Sequence, residues 1–213
     1  VSESLRLYGM RPVERLARLG IINDRLISVH TVHPDDREIE RLAQAGASVA
    51  HCPSSNLKLA SGFAPIAKMM QEGINIAIGT DSVASNDKLD MLAETRLAAM
   101  LGKATASDPT TMKVFDMLYA ATMGGAKAIG WGDRIGSIEA GKAADLVAIN
   151  LADINTIPTT DVATQLLYSA DRSQISHVWT DGQCVVSKQL LQKSPYFDRE
   201  YSVNVAKKWQ NAL

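Results

Sequence analysis

Ile74-Asn75-Ile76-Ala77-Ile78-Gly79-Thr80-Asp81-Ser82 is an apolar run that stops in a polar loop bearing one carboxylate. A helical pattern follows it, with Leu89, Leu92, Ala93, Leu97 and Met100 on one face and Gly102 as its stop. The same unit stands twice upstream. Leu26-Ile27-Ser28-Val29-His30 leads into Pro34-Asp35-Asp36 and a helix through Ile39, Leu42 and Ala43. Ser48-Val49-Ala50-His51 leads into a Pro/Ser/Asn loop and then a helix around Ile66, Met69 and Met70. Short apolar strands alternating with helices predict an α/β fold whose parallel sheet is joined by helical crossovers. A closed (β/α)8 barrel of the TIM type needs eight strands and about 250 residues. Three strand–helix units in 213 residues therefore predict the last three-eighths of such a barrel.

The flanks complete the expectation. Glu3 to Leu19 reads as one leading helix closed by Gly20, and Thr110 to Trp131 as another helix with Val114, Met117, Leu118, Ala121 and Ala128 at helical spacing. The texture then changes. Gly136-Ser137-Ile138-Glu139-Ala140-Gly141-Lys142 is turn-rich, Ala144 to Ile149 reads as a strand, and Asp181-Gly182 between two apolar runs is a hairpin signal. The expected division is residues 1–132 in the barrel part, 133–190 in a small β-rich domain and 191–213 in a C-terminal helix, read over Asp198 to Leu213.

Composition narrows the function. A chain that is 46% hydrophobic and 21% charged is an ordinary globular one. Its 22 basic and 23 acidic residues leave a net charge of -1, with no basic field to hold a phosphate backbone, so nucleic acid is not expected as a ligand. No membrane span is expected, because every apolar stretch breaks well before the ~18 residues that crossing requires. Val1-Ser2-Glu3-Ser4 carries neither a basic nor an apolar leader segment, so no secretory signal is expected. Cys52 and Cys184 lie in unrelated contexts and form neither a disulfide framework nor a metal knuckle, which makes a reducing cytoplasm the expected setting.

In a parallel βα architecture, chemistry sits at the carboxyl ends of the strands. All three strands end in groups able to ligate a metal or transfer a proton: His30, His51 and Asp81. Each has a structural alternative. His51 could brace the turn Pro53-Ser54-Ser55-Asn56, His33 could cap the helix that starts at Pro34, and Asp81 could be an N-cap or Asx-turn residue. Glu38, Glu40 and Arg41 read as a solvated helix face, and Asp171-Arg172 as a solvated turn. Three consecutive strands ending in His, His and Asp are nonetheless what a mononuclear metal hydrolase on a barrel requires. Imidazole and carboxylate are natural zinc ligands, and a water activated there becomes a nucleophile near neutral pH.

These residues resemble a known family. His51-Cys-Pro-Ser-Ser-Asn-Leu-Lys-Leu-Ala-Ser-Gly62 and Gly79-Thr-Asp-Ser82, with Ser85-Asn86, are similar to motifs of the amidohydrolase superfamily. Within it, the chain resembles the branch of 5-methylthioadenosine/S-adenosylhomocysteine deaminases and triazine chlorohydrolases. Gly136-Ser-Ile-Glu-Ala-Gly-Lys-Ala-Ala-Asp-Leu-Val147 resembles that family's composite β-domain, and Ser4-Leu-Arg-Leu-Tyr-Gly-Met-Arg-Pro12 the helix after the fifth barrel strand. The resemblance implies that the three strands are the sixth to eighth of the barrel. It also implies one divalent metal, zinc or iron, held by a His-x-His, a further His and the eighth-strand Asp, which maps onto Asp81. Asp81 is thereby implied as metal ligand, substrate contact and proton acceptor, and His30 as the catalytic group that polarises the attacked centre.

No His-x-His and no His-x-x-Glu occurs in this sequence, so at most one metal ligand is present. The chain alone is not expected to hold metal or turn over, and its implied partner is the N-terminal half of the same protein, in an enzyme for which a homodimer is the common assembly. The implied activity is hydrolytic deamination of an adenine-type nucleoside, by attack of metal-activated hydroxide on purine C6. The rivals are a chlorotriazine, guanine or cytosine hydrolase, and a non-catalytic fragment.

Overall fold

A computed structural model describes residues 1–192, 203–205 and 207–208. Its first sheet has three strands, β1 (Ile27–Val29), β2 (Ser48–His51) and β3 (Asn75–Ile78), in the order β1-β2-β3. Both pairings are parallel, with Ile27 opposite Ser48 and Val49 opposite Ile76. The ladder runs on past the strand ends through His30 N–H to Ala50 O at 2.9 Å and Gly79 N–H to His51 O at 3.0 Å. His30, His51 and the Gly79-Thr80-Asp81 loop are thereby delivered to one edge of the sheet. That is the arrangement expected of the sequence.

Helices cover the sheet. α1 (Ser2–Tyr8) and α2 (Pro12–Arg18) precede β1, and α3 (Asp36–Gln44) links β1 to β2. α4 (Pro53–Lys58) and α5 (Ile66–Gln71) link β2 to β3, and α6 (Met91–Ala106) follows. α7 (Val114–Tyr119) continues through a π-helical turn, Ala120–Gly124, into α8 (Gly125–Ala128). The core lies between sheet and helices: Ile39 and Leu42 of α3, Val49 of β2, Ile66 and Met69 of α5, Ile76 of β3, Ala98 and Ala99 of α6 and Met117 of α7 are all buried.

The second sheet is antiparallel and shares no strand with the first among the described residues: β4 (Leu146–Ile149), β5 (Ile175–Thr180), β6 (Gln183–Ser187) and β7 (Leu190–Leu191). The expected hairpin joins β5 to β6, and Asp181 and Gly182 both adopt positive φ, as a type I′ turn demands. Between β4 and β5 lie α9 (Val162–Tyr168) and a 3₁₀ turn, Arg172–Gln174. Leu167 of α9 is buried in the core of the first unit, and Arg96 of α6 donates to Leu167 O at 3.2 Å and to Ala170 O.

Several local expectations fail for identifiable reasons. The leading helix is two helices, because Gly9 at φ 64 closes the first in the left-handed conformation and Pro12 opens the second. The Pro/Ser/Asn loop is helix α4, with Pro53 in its first turn where the missing N–H costs nothing. α6 runs through Gly102 to Ala106, and the space beside that residue is filled by Met112. The helix α3 is capped by Asp35 in a capping box with Glu38, not by His33. Glu38 is not solvated: it is 5% exposed and accepts from Arg11 at 2.8 Å. Asp171 and Arg172, by contrast, are exposed in a turn as expected, and Asp171 caps it by accepting from Ser173 N–H. Leu191 is strand, not helix; of the expected helix Asp198–Leu213, only 203–205 and 207–208 are described, and these are helical. Among the described residues no helix is long and apolar enough to cross a membrane.

Candidate active site

Asp81 follows β3 with φ 60, and His30 and Thr31 follow β1 with φ 65 and 43. Non-glycine residues seldom adopt this left-handed backbone, and it is tolerated where surrounding contacts fix the chain. Here the contacts are evident. Ser55 Oγ of α4 donates to Asp81 Oδ2 at 2.6 Å, and Ser85 Oγ donates to the same oxygen at 2.7 Å. These two hydroxyls, then the Ser82 N–H and last the nearby His30, hold the Asp81 carboxyl below its ordinary range. His30 Nε2 lies 3.8 Å from Asp81 Oδ2, with the two side chains 37% and 31% exposed. A half-open imidazole–carboxylate pair thus stands at the carboxyl edge of the parallel sheet.

Behind it lies a buried polar layer. Asn56 of α4, 2% exposed, bonds His30 Nδ1 through Oδ1 at 2.9 Å. Glu94 of α6, also 2% exposed, accepts from Asn86 Nδ2 at 2.7 Å and from Ser54 N–H at 3.2 Å. Asn86 Nδ2 also reaches Thr80 O at 3.0 Å. One carboxylate therefore ties together the α4 start, the loop after β3 and α6. Ser55, Asn56, Ser85 and Asn86 were legible only as motif letters, and Glu94 was not singled out. Asp90 was the available signal, since it is the N-cap of α6 and sets Glu94 in the first turn of that helix.

The remaining candidates do not join the pair. His51 is 4% exposed, and burial, then the nearby His30, push its imidazole down to about 4, so it is neutral at pH 7. It forms no hydrogen bond to the turn it was expected to brace. Its Nδ1 and Asn56 Nδ2 are both buried without a partner among the described residues, and the two residues line a cavity of about 10 Å³. His33 is exposed and donates through Nε2 to Ser61 O at 2.7 Å. Burial pushes the Cys52 thiol up to about 11, aided by Asp81 and Glu94, which removes it as a nucleophile. Among the described residues, no group of three or more His, Cys, Asp or Glu side chains could hold a metal. The Asp81 carboxylate is chemically suited to be one ligand of a divalent metal.

Comparison with known proteins is consistent over the whole chain. A 5-methylthioadenosine/S-adenosylhomocysteine deaminase of Teredinibacter turnerae is 41% identical over 100% of this chain and 48% of its own length. A crystal structure of an adenosine deaminase from Xanthomonas campestris with bound zinc superposes with a TM-score of 0.95 and 47% identity, over 100% of this chain and 48% of that one. The atrazine chlorohydrolase of Arthrobacter aurescens, complexed with zinc, superposes with a TM-score of 0.85 and 31% identity, over 96% and 45%. The chain thus spans about half the length of the relatives it matches. Residues 1–185 match the Amidohydrolase family, and the chain belongs to it.

Proposed function

We propose that this chain is the C-terminal part of a metal-dependent hydrolytic deaminase acting on adenine-type nucleosides, 5-methylthioadenosine and S-adenosylhomocysteine among them. The observation that carries the reading is the 41% identity, over 100% of the chain, to a deaminase of that name. In this reading β1, β2 and β3 are the sixth to eighth strands of a (β/α)8 barrel, residues 1–132 form its C-terminal part, and 133–190 form a small composite β-domain. The parallel order of the three strands supports the first assignment, and the separate antiparallel sheet the second. The N-terminal half of the same protein supplies the remaining strands and metal ligands. Two unpaired cysteines among the described residues accord with a cytoplasmic setting.

The residues here have distinct tasks. One divalent ion, zinc as in the Xanthomonas campestris neighbour or iron, supplies when bound the Lewis acidity that activates a water. Asp81 is the ligand from this chain. Both serine hydroxyls bond its Oδ2, and they keep the carboxylate ionised and oriented. Asp81 also accepts the water's proton as oxygen adds to purine C6, and later returns it to the leaving amine, so that water and nucleoside become ammonia and an inosine-type product. His30, within 3.8 Å of that carboxylate, orients the attacking oxygen as the charge develops. The likeness to a chlorohydrolase at 31% identity favours, as a second reading, displacement of chloride from a triazine by the same machinery.

The test is ammonia release by the complete, zinc-loaded protein. Methylthioadenosine or S-adenosylhomocysteine should be used at least about tenfold more efficiently than cytosine, guanine or a chlorotriazine, a margin of about 1.4 kcal/mol. Activity on cytosine or a triazine, with none on either thioether nucleoside, would remove the substrate assignment and leave the family.

A further inference from the structure

We propose that Asn56 is a positioning residue that locks His30 in the tautomer protonated on Nδ1, which leaves a lone pair on Nε2, beside Asp81, to accept from the attacking water. The inference rests on the role given to His30 above. A neutral imidazole has one donor and one acceptor nitrogen, and the partner of one nitrogen decides the other. His30 Nδ1 and Asn56 Oδ1 are 2.9 Å apart, and an amide oxygen only accepts, so the proton of that bond is on Nδ1. Nε2, 3.8 Å from Asp81 Oδ2, then carries the lone pair.

An asparagine can present either end, and its surroundings choose. Asn56 is 2% exposed on α4, and its chain is fixed by Asn56 N–H to Cys52 O at 3.0 Å and Ser61 N–H to Asn56 O at 2.8 Å. Its Nδ2 and the His51 Nδ1 are the two unpartnered polar atoms of the residues lining the 10 Å³ cavity. That space fits about one water, which can accept from an amide N–H₂ and donate to an imidazole lone pair. In the structure Oδ1 faces His30, and Nδ2 is the end left for such a water to accept from. The consequence for the reaction is directional. An acceptor at Nε2 takes a hydrogen bond from the attacking water, or from Asp81 once protonated, and so aims an oxygen lone pair at the substrate carbon. A histidine with the proton on Nε2 would instead donate to the Asp81 carboxylate or to the water oxygen, and so occupy a lone pair of that oxygen.

The experiment is long-range ¹H–¹⁵N correlation spectroscopy of histidine-labelled, zinc-loaded complete protein, with His30 assigned by its loss in His30→Gln. The expected spectrum shows His30 protonated on Nδ1. Asn56→Asp, which keeps an acceptor, should preserve that pattern. Asn56→Leu should move the proton to Nε2 and lower kcat by about 10²-fold with little change in KM. Protonation on Nε2 in the unmodified protein overturns the proposal by itself, whether or not either variant folds. So does an Asn56→Leu variant whose His30 pattern is unchanged. The tautomer is read without substrate, so a protein inactive on thioether nucleosides but protonated on Nδ1 would overturn the substrate assignment and leave the positioning role.

Discussion

Asp81 is asked to be ligand and proton acceptor together, and a substitution can separate those roles. Asparagine keeps the shape and the hydrogen bonds from Ser55 and Ser85 but cannot take a proton. Asp81→Asn and Asp81→Ala in the complete protein should therefore both lower kcat by about 10²–10⁴-fold, with metal content falling in Asp81→Ala. His30→Ala should lower kcat while leaving bound metal unchanged. Equal metal loss in both alanine variants would sink this division of roles. His51 belongs to stability instead. Its imidazole stays neutral in the fold down to about 4, whereas in the unfolded chain it takes a proton near 6.5. The unfolded state then binds more protons between those values, so stability should fall as pH drops from about 6.5 to about 4 and level off below, by on the order of 3 kcal/mol. Urea midpoints across that range should show the slope, and His51→Ala should lose it while being less stable at pH 7.

At the scale of elements, two contacts decide how α7, α8 and the leading helices sit on the sheet. The π turn lays Gly124 directly on the backbone of β3, where a Cβ would collide with Ile76 O, and Asn75 Nδ2 donates to Gly124 O at 2.9 Å. Gly124→Ala should cost about 2 kcal/mol or more in urea unfolding. Gly125→Ala, which meets nothing within 4 Å, should be neutral or stabilising by up to about 1 kcal/mol. Similar losses in the two variants would mean that helix propensity, not close approach, fixes the position. Arg11 joins α2 to α3 through Glu38 at 2.8 Å and His33 O at 2.7 Å. Arg11→Ala leaves a buried carboxylate unpaired and should destabilise by about 2–3 kcal/mol.

These elements also show what the sequence could and could not disclose. Strand positions were readable because an apolar run of four or five residues between turn signals has few alternatives. The carboxyl-edge placement of His30 and Asp81 follows from parallel topology alone. Glu38 and Glu94 were not readable as buried, because charge on a helix reads as solvated until a distant partner, Arg11 or Asn86, is known. α4 was hidden because Pro, Ser and Asn favour turns as well as helix starts, and only the tertiary demand that Ser55 and Asn56 reach Asp81 and His30 resolves the choice.

The molecule as a whole carries surfaces that ask to be covered. A cavity of about 720 Å³ opens between the start of α6, the α7 face and β4, lined by Leu118, Ile135, Leu146 and Ile149 among others. Ile138 is 88% exposed and Val147 56% exposed. Contiguous apolar surface of this kind marks an interface. The outer edges of β1 and β3 also lack strand partners among the described residues. The chain produced alone should therefore bind a hydrophobic dye and self-associate, whereas the complete protein should do neither, which sedimentation with dye fluorescence would check.

In the complete protein Asp81 is expected to join a metal site whose other ligands lie outside this segment. Intact mass combined with metal analysis of the protein purified from cells that make it tests this most directly. The expected result is a polypeptide, or a tightly held second one, that carries a His-x-His and about one zinc or iron per copy, with metal reduced in Asp81→Ala. A single metal-free species of this chain's own mass would contradict it.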